Sequence, residues 1–244
     1  AVGTHQFEVR AIDSEALPDP TPAIFAWTIT PATIATSVSC GQVLTQSTLV
    51  TNDLFDCSGN GLVVGANGIT VDLNGHTIDG IGQGVGILNN GFDSVAITNG
   101  FVQEFDFGIQ LNPGTTLNTA SGLTLQVNEE AGIQLTDSDN NTIHSNELAG
   151  NGVGVSLLGG SQGVIVRNNS ISTSALQGVT LLASNSNRVE NNAITGSSES
   201  AIYLEGATGN TLLGNILNNN SGEGVEISLL SHNNRVEGNH VTAN

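Results

Sequence analysis

A four-residue unit, glycine followed by apolar, polar and apolar residues, recurs through this chain at nearly constant spacing. Copies begin at Gly108, Gly132, Gly154, Gly178, Ala201 and Gly224, in steps of 24, 22, 24, 23 and 23 residues. Weaker copies begin at Gly61 and Gly86. A second unit, apolar-x-x-Asn-x-apolar, runs in phase and places Asn146, Asn169, Asn192, Asn215 and Asn239 at matching positions. Each period therefore holds about three short alternating segments separated by Gly, Asn or Ser. A fixed period of this length is the mark of a solenoid. Parallel strands normally need long crossovers. A coil that closes after about 23 residues avoids them by stacking each strand on its own copy, about 4.8 Å away. The spacing predicts an all-β chain, a right-handed parallel β-helix (β-solenoid) of about eight coils, roughly 38 Å long. Its interior is predicted to be columns of like aliphatics, among them Ile109, Ile133, Val155, Val179, Ile202 and Val225. The recurring Asn residues are read as a structural ladder at a tight corner, because Asn tolerates a left-handed backbone. His76, at the same repeat position, is read as a corner residue and not as a metal ligand.

Three segments are expected: a β-hairpin extension at 1–30, a linker and N-terminal cap coil at 31–60, and the repeats at 61–244. Four of the five prolines lie between Pro18 and Pro31, as a turn and linker would require. Cys40 and Cys57, 17 positions apart, are close enough for a disulfide worth about 3 kcal/mol; two buried thiols are the other reading. Lys+Arg number 4 against Asp+Glu 22, a net charge of -18. Phosphate binding needs clustered cations, so nucleic acid is excluded as a partner. No apolar run approaches the roughly 18 residues of a membrane-spanning helix, so membrane insertion is not expected. The chain has no Met and no visible signal peptide, so a processed secreted chain, or part of one, is expected, placed extracellularly or on a cell surface.

From about residue 40 onward the chain resembles the right-handed parallel β-helix repeat family that includes NosD-like and pectate-lyase-like proteins. The residues that carry the resemblance are Cys40-Gly41 with Cys57, the run Gly68-Ile69-Thr70-Val71-Asp72-Leu73-Asn74-Gly75-His76-Thr77-Ile78, and the Asn repeats. It implies the fold and leaves activity open, since enzymes, adhesins and modules of no known activity share it. Residues 1–30 are different. The run Gly3–Asp13 with Trp27-Thr28-Ile29 is similar to the last hairpin of a bacterial immunoglobulin-like or fibronectin-like repeat. Two strands are not stable alone, so this hairpin needs a partner. Phe7, Val9, Phe25 and Trp27 are its candidate assembly residues, and Val236 and Val241 are those of the last repeat.

Lyases of this fold implied by the resemblance carry a calcium-binding acidic cluster and a basic residue on one outer face. The outward column Gln110, Gln134, Ser156, Thr180, Tyr203 and Glu226 has one carboxylate and no cation. A second outward column is read as Asp72, Ala96, Thr142, Ile165, Arg188, Thr211 and Arg235. His144, Arg167 and Glu190 align in a third, with Arg167 and Glu190 read as a surface ion pair. Asp137 and Asp139 form a close acidic pair in a turn, a possible Ca2+ site; no cofactor is otherwise required. No catalytic residue is assigned. The leading expectation is a non-catalytic extracellular structural module that joins end to end with its own copies, leaning away from an enzyme. A polysaccharide lyase or glycoside hydrolase is the first alternative, and a carbohydrate-binding adhesin the second, with Tyr203 or the Phe101–Phe107 patch as its contact.

Overall fold

The computed structural model describes residues 3–15, 17–18, 20–29 and 33–244. These divide into two units, 1–32 and 33–244. In the first, β1 (Gly3–Val9) pairs antiparallel with β2 (Ala23–Ile29). Phe7 and Phe25 face each other across the pair and stack, with ring centroids 5.5 Å apart. Phe7, Val9 and Phe25 are exposed; the side chain of Trp27 lies outside the described residues. The hairpin is thus observed.

The second unit is a three-sided parallel β-solenoid. Its first sheet has nine strands in strict coil order, from Gln42–Leu44 to Val225–Ile227. Nine rungs stand where about eight coils were expected. The additional rung, Gln42–Leu44, follows Gly41 but carries glutamine where the other copies have their first apolar residue, so it departs from the repeat signature. A second sheet runs through Thr48–Val50, Thr142–His144, Ile165–Arg167 and Arg188–Glu190 to Arg235–Glu237. A third runs through Leu54–Cys57, Thr77–Gly80 and Glu147–Ala149 to His240–Thr242. In two coils a single eight-residue strand, Ala96–Gln103 or Thr119–Gln126, carries the chain through the corner between the second and third sheets. The stretch 31–60, read as linker and cap, supplies strands of the rod from Ile34 onward.

Period-2 alternation sends one residue of each outward–inward–outward triplet into the interior. Ile109, Ile133, Val155, Val179 and Ile202 pair in register and are buried. Leu125, Leu148, Ile171, Ile194 and Leu217 form the matching column of the third sheet. A glycine opens most rungs of the first sheet because a neighbour fills its side-chain space. A Cβ on Gly154 would lie 2.4 Å from the Gly178 carbonyl and 2.5 Å from Ile171.

The Asn ladder exists, but the left-handed residue of each corner is the one before it. Ser145, Asn168, Asn191, Gly214 and Gly238 have φ between 55° and 64°, whereas the ladder residues do not appear among those with positive φ. That turn aims the next side chain into the coil. Each ladder amide then donates to the next coil's Oδ1, at 3.1, 2.9, 3.0 and 2.8 Å from Asn146 to Asn239. The same Oδ1 atoms accept the preceding coil's backbone N–H. Ladders also occupy the other two corners, through Asn187, Asn210 and Asn234 and through Asn128 with Asn151 and Asn220 with Asn244. Buried polar side chains are thus placed in hydrogen-bonded rows, the condition for keeping them inside.

Cys40 and Cys57 form the expected disulfide, with Cα atoms 5.5 Å apart. No helix among the described residues is long and apolar enough to cross a membrane.

Candidate functional site

Four arginines are the chain's entire permanent positive charge. Arg10 pairs with Glu8, Arg188 with Glu190 and Arg235 with Glu237, each pair two residues apart and the last two on one strand face. Glu190 is therefore taken by Arg188 and not, as the sequence column suggested, by Arg167. Same-strand geometry wins because residues i and i+2 project side by side. Two residues from Arg167 on either side stand Ile165 and the inward Asn169, so it has no such neighbour. Arg167 is the one arginine without a carboxylate partner among the described residues.

Arg167 shares the outward column Asp72, Thr98, Ser121, His144, Arg167, Glu190. Asp72 was assigned to the neighbouring column; the register puts Thr70 there, beside Ala96. His144 and Arg167 occupy adjacent coils, about 4.8 Å apart along the rod. Partial burial and then the Arg167 charge push the His144 imidazole below the ordinary histidine range. Neutral at neutral pH, the ring has a basic nitrogen to offer. Its Nδ1 lies 3.2 Å from Ser145 Oγ. A neutral imidazole beside an unpaired guanidinium can take a proton from a carbon whose adjacent carboxylate the guanidinium holds. The sequence aligned these two residues in one column, but its reading paired Arg167 with Glu190 and gave His144 no part.

The other candidates lie elsewhere. Asp137 sits in a left-handed turn at φ 46°. Asp139 accepts the Gln162 backbone N–H at 2.9 Å and the Gln162 side-chain amide at 3.4 Å, which ties one coil to the next. No group of three or more His, Cys, Asp or Glu able to hold a metal occurs among the described residues. Tyr203 donates to Glu205 at 2.8 Å, and that bond raises its pKa. Beside it, Ser200 Oγ bridges Glu226 at 2.7 Å and Glu223 at 3.2 Å. His76, at a ladder position, sits outside the coil against Asp53, at 3.1 Å. The Phe101–Phe107 patch divides: Phe105 is buried core, Phe107 is half-buried, and Phe101 points outward. Val236 and Val241 are about half exposed.

Two family models cover more than half of the chain each. One, described as right handed beta helix region, matches residues 107–244; the other, described as periplasmic copper-binding protein (NosD), matches 32–172. The chain belongs to the right-handed β-helix family. Neither match reaches the hairpin. No curated protein sequence matches the chain. Among solved structures, the periplasmic alginate epimerase AlgG aligns with TM-score 0.70 at 15% identity, over 81% of this chain and 50% of its own. The DFA-IIIase of Arthrobacter chlorophenolicus A6 without its lid aligns with TM-score 0.65 at 16% identity, over 80% and 58%. The Dettilon tailspike protein aligns with TM-score 0.58 at 17% identity, over 87% and 54%. The chain thus spans about half the length of these proteins. At such identities the likeness is one of fold.

The lean away from an enzyme is nevertheless overturned. It rested in part on outer columns without an evident catalytic set, yet an epimerase and a DFA-IIIase are built on this same frame. Copper does not fit the residues present. There is no Met, both cysteines are in the disulfide, and the described histidines do not gather with other ligands, whereas copper favours His, Cys and Met.

Proposed function

We propose that the chain is the β-helical part of a polysaccharide-modifying enzyme that acts on uronate-containing polymers, by elimination or epimerisation. The single observation that carries this reading is the unpaired Arg167 beside the weakly basic His144 on one outer face. Arg167 neutralises the substrate carboxylate, which acidifies the C5 proton next to it. His144 accepts that proton. Return of a proton from water to C5 on the opposite face gives the epimer; departure of the 4-linked oxygen, which takes up the proton that His144 removed, gives an unsaturated end and a new chain terminus. The alginate epimerase named above supports the choice of substrate class by analogy of fold.

Placement outside the cytoplasm fits the disulfide and the periplasmic descriptions of NosD and AlgG. The test is a panel of alginate, polygalacturonate and neutral glycans, read by ultraviolet absorbance of unsaturated products and by NMR of C5 configuration. Turnover on a uronan that Arg167→Gln and His144→Ala abolish supports the reading. Turnover confined to neutral glycans refutes it. A second reading, glycoside hydrolysis, is favoured by Glu223 and Glu226, which share the Ser200 hydroxyl as a paired set of carboxylates could. New reducing ends lost in Glu226→Gln mark that outcome.

A further inference from the structure

Phe101 is 41% exposed on the outer face of the third sheet, although most aromatic rings of the solenoid are at least partly buried. In register with it, one coil to either side, stand Thr77 and Thr124. Two residues further along each strand, the outward column is Asp79, Gln103 and Gln126. These three side chains are joined end to end. Gln126 Nε2 donates to Gln103 Oε1 at 2.7 Å, and Gln103 Nε2 donates to Asp79 Oδ1 at 3.0 Å. The row has one direction, set by the acceptor-only carboxylate at its end, and it fixes the two glutamine rotamers before any ligand arrives. One N–H of each amide and the Gln126 carbonyl take no part in these two bonds.

We infer that this face is a binding site for a neutral pyranose chain, separate from the proton chemistry at His144. An exposed ring on a rigid sheet offers its π face to the C–H face of a sugar. The fixed amides and the two threonine hydroxyls offer donors and acceptors to sugar hydroxyls at the ring's edge. Pre-set rotamers lower the entropy that binding would otherwise cost. The sugar is neutral because the row ends in a carboxylate, Glu147 follows in the next coil of the adjoining column, and the outward residues of this sheet include no lysine or arginine. Coils repeat about every 4.8 Å, so a chain lying along the rod meets a threonine, the ring and a second threonine in succession.

The test is calorimetric and NMR titration of the whole chain with cellohexaose, mannohexaose and a hexameric galacturonate. The site predicts binding of a neutral hexaose, weakened at least tenfold in Phe101→Ala, retained in Phe101→Trp, and weakened severalfold in Gln103→Leu. Unchanged thermal midpoints show that these substitutions leave the fold intact. Binding of the galacturonate alone, equal affinity in Phe101→Ala, or no binding of either neutral hexaose overturns it. Because the readout is binding and not turnover, loss of this site and failure of the His144 chemistry are separate results.

Discussion

The interior Asn residues hold this protein together through single atoms with two duties. Asn192 Oδ1 accepts both the backbone N–H and the amide of Asn169, at 3.0 and 2.9 Å, and its own amide donates to the Val166 carbonyl at 2.9 Å. Asn192→Ala leaves buried donors on one coil and a buried acceptor on another, so it is expected to cost about 3 kcal/mol, read as a shift in denaturant midpoint. Gly163 makes a different demand. Its φ is 67°, and an added Cβ would lie 2.5 Å from Asn140 Oδ1. Gly163→Ala is expected to cost about 1–2 kcal/mol in backbone conformation alone, with a further steric part that Asn140→Gly restores in the double variant. The five-Asn period was legible because every copy is the same residue. That the bend sits one residue earlier was not, because Ser145, Asn168, Asn191 and Gly214 share a conformation and not a side chain. His144 gives a third residue-scale expectation. Its folded pKa is lowered, so the neutral ring's contribution to stability is complete above the ordinary histidine range and declines as pH falls through it toward the folded value. Arg167→Gln removes one cause, and NMR titration is expected to show the His144 pKa moving upward.

At the scale of strands and coils, stability is local. Each rung touches mainly its neighbours, so damage should spread no further than adjacent coils. Reducing Cys40–Cys57 is expected to remove about 3 kcal/mol from the first coils. Hydrogen exchange should then quicken in Thr48–Val50 and Leu54–Cys57 and stay slow in the ladder coils around Asn192. Strand identity was readable wherever apolar residues alternate, as in Gly132-Ile133-Gln134-Leu135. It was less readable in the rung Gln42–Leu44, where glutamine stands at the first apolar position after Gly41, and in 31–60, where short strands hide among Ser and Thr. The ion pairs escaped the sequence for a related reason. Column alignment compares coils, whereas Arg188 and Glu190 meet along one strand.

Across the whole molecule, a net charge of -18 argued against anionic ligands only while the charge was treated as uniform. Three arginines are cancelled by their own glutamates, and the remaining one stands beside a histidine that it helps keep neutral. That arrangement carries the account, and proton abstraction at C5 is the step proposed for it. The most direct measurement is NMR of a uronan incubated with the protein in deuterium oxide. The account predicts deuterium at C5, or C4–C5 unsaturation, with the intact protein and neither with Arg167→Gln. A uronan recovered unchanged after incubation with the intact protein, or the same label with Arg167→Gln, would contradict it.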